Sequence, residues 1–302
     1  MNIIKNKWLF LGFSILLIAA SIYGLTVYGL QKGIDFTGGT LWQVSFTGEV
    51  SRDELATFVQ TDLKLPDAVV IAQEDGSGFN IRAKEIKEVE HQEYLGQMTA
   101  KFGAVEELSF QTIGSAIGAE LVNKALWALG VNLFAISLYV AYAFRKVSFP
   151  VSSWKYAFIT LITLFHDALI PVGMMAFLGH FLGIEIDANF IVAVLLVIGF
   201  SVHDTIVVFD RIRENLRKSG GAAKANFAEL VNTSIHETFA RSLNTSLTLI
   251  IVLTALIVLG AGSLHYFILT ILVGTIIGTY SSIFVASPLL VLWNRNLTSQ
   301  KA

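Results

Sequence analysis

An α-helical membrane protein is expected from this chain, with six transmembrane helices grouped one plus five and a small α+β domain after the first. Three observations lead there. Of 302 residues, 54% are hydrophobic and 15% charged, with a mean hydropathy of +0.65, whereas soluble domains carry about 25% charge. Apolar runs near or above the roughly 20 residues that span hydrocarbon recur at 8–30, 121–144, 156–178, 188–209, 243–260 and 266–293. Residues 31–120, between the first two runs, have the mixed pattern of a folded domain. The net charge of −2 offers no basic field for nucleic acid, and the absence of cysteine excludes disulfides, a thiol nucleophile and Cys-ligated zinc.

In chain order, Lys5 and Lys7 precede the first run. That run is longer than a signal-peptide core and ends without a convincing cleavage site, so 1–30 reads as an uncleaved signal-anchor helix. Within 31–120, residues 40–46 alternate as a strand. Ser51 and Glu54 have the spacing of a capping box that opens a helix. Residues 68–73 and 79–84 flank a turn-rich connection at 74–78, as in a hairpin. Residues 88–102 have helical spacing and stop at Gly103, and 105–111 form a last strand. The order β-α-β-β-α-β predicts a ferredoxin-like two-layer domain. It holds neither a metal-ligand cluster nor a nucleophile–base pair, so a binding or moving part is expected, without metal, cofactor or enzymatic chemistry. Residues 121–294 supply the remaining five helices and 295–302 a tail.

Charge orients the helices. Lys5 and Lys7, then Arg145, Lys146 and Lys155, then Arg211, Arg213, Arg217, Lys218, Lys224 and Arg241, and finally Arg295 and Lys301 all fall on one side. The short opposite loops, 180–187 and 261–265, carry none. The positive-inside rule therefore puts both termini in the cytoplasm and 31–120 outside the cytoplasmic membrane.

The chain centres on 198–218, IGFSVHDTIVVFDRIRENLRK. Asp204 lies about six residues before the charges, roughly 9 Å up the helix. An ionisable group at that depth costs about 2.5–3.5 kcal/mol and usually faces a protein interior or a wet path. His203 precedes it, and the third helix repeats the pair as His166-Asp167. Ser201 shares a face with Asp204. Arg241, Asn244, Thr245 and Thr248 share one face of the fifth helix. If that stripe faces the fourth helix, Arg241 approaches Asp204. Burial opposes a charged carboxyl and a guanidinium favours it, so a carboxyl between the two can load and release a proton. A static Asp204–Arg241 bridge that fixes packing is the competing reading, as are simple hydrogen bonding for His166-Asp167 and a polar neighbour for His203. Gly274, Gly278, Ser282 and Ala286 recur every four residues as a helix-packing face, and Pro171 and Pro288 are expected to kink their helices. The basic residues of 211–218 set topology or offer a docking surface.

Two stretches carry a family resemblance. GIDFTGGT at 33–40 follows the first helix, and the 198–218 stretch closes the fourth. With six helices and a domain of this size after the first, the chain resembles the SecF family, the smaller subunits of the bacterial SecD–SecF accessory complex of the Sec translocase. GSAIG at 114–118 is similar to the family's pre-helix motif, without its proline. The resemblance implies a proton-coupled member of the resistance-nodulation-division superfamily. Such a subunit works in the lipid bilayer with SecD and the SecYEG channel, and draws on the proton-motive force to pull a translocating preprotein outward. It puts the family's essential aspartate on Asp204, its arginine on Arg241 and its His-Asp on His166-Asp167. Gly33, Asp35, Gly38 and Gly39 would shape the junction of helix and domain. Two alternatives stand beside it: a non-transporting scaffold of the translocase, and half of a proton-driven exporter of small molecules or lipids.

Overall fold

The apolar runs fold into helices longer than the runs themselves, because their polar flanks continue the helical backbone. The computed structural model describes residues 3–73, 78–144, 151–219, 226–260 and 262–294. Most of the hairpin connection (74–77), Arg145, Lys146, Lys224 and the tail with Arg295 and Lys301 lie outside the described residues. Among the described residues, six helices are long and apolar enough to cross a membrane: Lys7–Val27, Ser115–Ala143, Ser153–Leu182, Ala188–Ser219, Phe227–Val258 and Gly262–Trp293. The chain divides into two units, residues 1–31 with 127–302, and residues 32–126.

The smaller unit opens with a short helical turn, α2 (Ile34–Thr37), after α1 (Lys7–Val27) of the larger unit. It continues through β1 (Gly39–Phe46), α3 (Arg52–Thr61), β2 (Val69–Ala72), β3 (Phe79–Ala83), α4 (Glu88–Phe102) and β4 (Val105–Ile113). The four strands form one antiparallel sheet in the order β2-β3-β1-β4. Trp42 of β1 is opposite Ile81 and Phe110 and is fully buried with Val44, Leu55, Val59 and Met98. Its indole N–H donates to Glu107 Oε2 at 3.0 Å. His91 of α4 meets the same oxygen at 2.5 Å and stacks on Phe110 at 3.7 Å. This half-buried polar knot ties α4 to the sheet. Beside it, the Gln92 amide and then His91 hold the Glu88 carboxyl below its usual value. Ser51 precedes α3, but its hydroxyl makes no capping bond. The Glu90 carboxylate makes such a contact at α4 instead, accepting the Lys87 backbone N–H at 3.0 Å. Arg52 and Gln60 of α3 donate to the Val70 and Ala68 carbonyls, which blunts the open edge of β2.

The larger unit contains α1, most of α5 (Ser115–Ala143), α6 (Ser153–Leu182), α7 (Ala188–Ser219), α8 (Phe227–Val258), α9 (His265–Ser281) and α10 (Ser287–Trp293). Aromatic packing of Phe144, Tyr156 and Phe209 anchors one end of the bundle, with ring centroids 5.0 and 5.2 Å apart. Ile3, Ile4, Phe227 and Val231 join that core. The expected start of the fifth helix near Arg241 is too late: α8 begins at Phe227, because 227–240 is amphipathic and packs on α7. The sixth helix is interrupted by a π-helical turn, Ser282–Ala286, ahead of Pro288. Small residues set the closest helix approaches. A Cβ on Gly173 of α6 would fall on Ser21 of α1, and one on Gly274 of α9 would fall on Val197 of α7.

This geometry yields a paired prediction. Gly173→Ala overpacks α6 against α1 and costs about 1–3 kcal/mol. Gly130→Ala meets nothing within 4 Å and gains helix propensity. Thermal unfolding in detergent should show a lower midpoint for the first variant only. Equal midpoints would refute the close α1–α6 contact.

Candidate functional site

Two carboxyls lie inside the bundle where α6, α7 and α9 meet. Asp167 of α6 is fully buried. Its Oδ1 is 2.7 Å from His166 Nδ1, and its Oδ2 accepts hydrogen bonds from the hydroxyls of Ser201 on α7 and Ser281 on α9, the latter at 2.6 Å. Asp204 of α7 is 5% exposed. It accepts a hydrogen bond from Ser282, and Ser242 of α8 faces it without closing a bond of ordinary geometry. Among the described residues no Lys or Arg pairs with either acid.

Sequence explains how one helix serves both. Gly274 and Gly278 bring the α9 backbone against Val197 and Ser201 of α7, the close approach that small residues permit. Ser281 and Ser282 then follow as neighbours in the chain, about 100° apart around the axis, and reach different acids. The π turn begins at Ser282. Pro288 has no N–H to donate within the helix, and the Ser287 hydroxyl donates instead to the Ser282 carbonyl at 3.3 Å.

The other expected residues are placed differently. Arg241, Asn244, Thr245 and Thr248 all lie on the exposed side of α8. The stripe does not face α7, and Arg241 does not meet Asp204 within the described chain. Thr245 instead bonds the Arg241 carbonyl at 2.9 Å, and Thr248 the Thr245 carbonyl at 2.7 Å. The face of α8 turned inward carries Ser234, Thr238, Ser242 and Ser246. Both stripes have helical spacing, so periodicity alone does not choose between them. His203 is exposed, about 100° around α7 from the buried Asp204. Ser201 serves Asp167 rather than Asp204. Ser282, expected only as a packing residue, donates to Asp204, whereas Gly274 and Gly278 do pack and Ala286 is buried in the core. Sequence reasoning missed Ser281, Ser242, Ser246 and Thr279. The available signal was hydroxyl residues recurring every four positions at 234, 238, 242 and 246.

The glycine-rich stretch is placed within the smaller unit. Gly33 precedes α2 and Asp35 lies in its first turn, where a carboxylate complements the helix N-terminus. Gly38 and Gly39 have φ of 71° and 116°, a region open to glycine. A Cβ on Gly38 would meet the Ser115 backbone, and one on Gly118 would come within 2.9 Å of Gly38 N. Stretches 33–40 and 114–118 therefore interlock at the start of α5.

The family model described as protein export membrane protein SecD/SecF, C-terminal, matches residues 94–296, and that of the SecD/SecF GG motif matches 23–50. A protein translocase subunit SecF of Thermobaculum terrenum is 41% identical over 97% of this chain and 93% of its own length. One of Sebaldella termitidis is 35% identical over 98% and 92%. A crystal structure of SecDF, a translocon-associated membrane protein from Thermus thermophilus, superposes with a TM-score of 0.83 at 32% identity; the match covers 98% of this chain and 39% of that longer one. With a multi-pass bundle that holds paired buried acids, a glycine-rich stretch after α1 and these relatives over nearly its whole length, the chain belongs to the SecF family of protein translocase subunits.

Proposed function

We propose that this chain pairs with SecD as a proton-driven auxiliary subunit of the Sec translocase, helping to draw a preprotein through the SecYEG channel. A translocase subunit is not a catalytic enzyme class, and what this reading requires is a proton-bearing site. The observation that carries it is the pair Asp167 and Asp204, buried at membrane depth and held by serine hydroxyls and one imidazole. A static bridge needs its cation, and Arg241 does not supply it here. Asp204, held by a rotatable hydroxyl, can lose and regain a proton without breaking an ion pair, and at Asp167 the His166 imidazole can itself take up the proton. One elementary charge crossing the membrane is worth about 2.3 kcal/mol per 100 mV.

On this reading both termini are cytoplasmic, the protein resides in the cytoplasmic membrane, and residues 31–120 form a ferredoxin-like extracytoplasmic domain; the strand order β2-β3-β1-β4 supports that topology. The exposed stripe Arg241, Asn244, Thr245 and Thr248 is costly against lipid. It becomes intelligible as the surface that SecD helices cover. The longer SecDF relative, of which this chain matches 39%, supports such a second half.

Two outcomes follow. Asp167→Asn and Asp204→Asn should each slow proton-gradient-dependent export by about tenfold or more, a loss of at least ~1.4 kcal/mol, with normal yield of the SecD complex; unchanged export in membrane vesicles would favour the scaffold reading. A photo-crosslinking side chain at Thr248 should give an adduct with SecD, and one at Ser246 should not. The reverse pattern would remove the assignment of the exposed face.

A further inference from the structure

A cavity of about 570 Å³ lies between α5, the start of α6 and the end of α10. Ala157, Phe158 and Leu161 of α6 and Trp293 of α10 form apolar walls, and Ser137 stands on the α5 side. The Ser137 hydroxyl already donates to the Leu133 carbonyl at 2.6 Å, so that side adds little polarity. Phe158 and Trp293 meet edge to face at 5.1 Å. Both are exposed, as is Trp154, so the cavity is open to the surroundings of the bundle. Trp154 and Lys155 line it at the first turn of α6. From Lys155 to Leu161 it follows that helix for about 9 Å.

Apolar clefts between membrane helices fill with bulk lipid and need no further account. Lys155 sets this one apart. Its ammonium donates to Asn294 Oδ1 at 2.7 Å, and the Asn294 amide is itself held by the Leu290 carbonyl at 2.8 Å. Among the described residues no Asp or Glu pairs with Lys155, and the first turn of α6 has no acid. An ammonium has three donors, and a neutral amide leaves its charge unanswered. The helix dipole does not reward a cation there, since it favours cations at the other end. A lysine that only sets topology needs no buried amide to fix its position. The surface assigned above to SecD lies on α8, which supplies none of the residues around this cavity.

We propose that the cavity binds one anionic phospholipid, with an acyl chain against Phe158, Leu161 and Trp293 and the headgroup phosphate on the Lys155 ammonium. Basic pockets between membrane helices recognise such headgroups, and tryptophan suits the level where chain meets headgroup. The orientation argued above assigns the lipid to the cytoplasmic leaflet. Binding depends neither on that orientation nor on proton coupling.

Native mass spectrometry of the complex with SecD, titrated with phosphatidylglycerol or phosphatidylcholine, tests this. The unaltered chain should retain phosphatidylglycerol about tenfold more tightly than phosphatidylcholine. Lys155→Gln keeps a donor for Asn294 and should erase that preference, whereas Lys155→Arg should keep it. A preference that survives in Lys155→Gln, or none in the unaltered complex, would overturn the site. A photo-crosslinking side chain at Leu161 should form an adduct with phospholipid. An adduct with SecD in its place would give the cavity to a protein helix and overturn the proposal, even if a variant at Lys155 folded poorly.

Discussion

Keeping two carboxyls inside an apolar helix bundle is the constraint that shapes the larger unit. Each costs about 2.5–3.5 kcal/mol at membrane depth. One or two hydrogen bonds to a charged group, each worth about 1.5–3 kcal/mol, are of the same size. Asp167 has three such contacts and Asp204 has one, so the bundle must bring donors to them from other helices. That requirement explains why α9 is glycine-rich where it meets α7, since bulk at Gly274 or Gly278 would hold Ser281 and Ser282 away. It also explains why the regular helix ends at Ser281. Adjacent residues must serve acids on two different helices, and the π turn, which Pro288 follows, begins at the second of them.

The same constraint distinguishes the two polar faces of α8. The inward face consists of small hydroxyls that fit at a helix contact, and Ser234, Thr238 and Ser246 bond the carbonyl one turn back. The outward face holds a guanidinium and an amide, groups too large and too strongly polar to sit in lipid unaccompanied. A helix with two such faces suits a position between two halves of an assembly rather than at the rim of one. The smaller unit meets a milder version of the problem. His91 is drawn into its core, where it stacks on the Phe110 ring and meets the partly exposed Glu107 carboxylate, which also accepts the Trp42 Nε1–H.

Much of the architecture was legible in the sequence. Six apolar runs and the alternation of 31–120 depend on burial periodicity, which is local, and a helix or strand stands at each of them, with α7 and α8 running well beyond the apolar stretch at their polar ends. The acids were legible too, because an aspartate in an apolar run has no cheap explanation. Their partners were not. Ser281 and Ser282 do not disturb the hydropathy of their run, and serine in a membrane helix usually only bonds its own backbone. Arg241 drew the eye for the opposite reason. A large charge at the right spacing from Asn244, Thr245 and Thr248 marks a face clearly, but spacing says nothing about which neighbour that face meets. The start of α8 was misplaced for the same cause: residues 227–240 are too polar to read as membrane helix, yet they pack Phe227, Val231 and Ile235 into the core.

If protons move through these acids, their arrival has to be felt as motion, and the geometry limits where that can begin. Ser281 and Ser282 are adjacent in the chain and bonded to different carboxyls, so a change of charge at either acid changes the hydrogen bonding of one short stretch of α9. Toward Gly274 that helix is clamped against Val197, with no room to shift. Toward Pro288 it runs through a π turn, whose wider backbone bonding is the softer part of the element. Strain applied at the two serines therefore propagates toward Ser287 and α10 more easily than toward His265. On that reading the acids, the serines and the π turn form one hydrogen-bonded unit, in which the glycine contacts supply the fixed end.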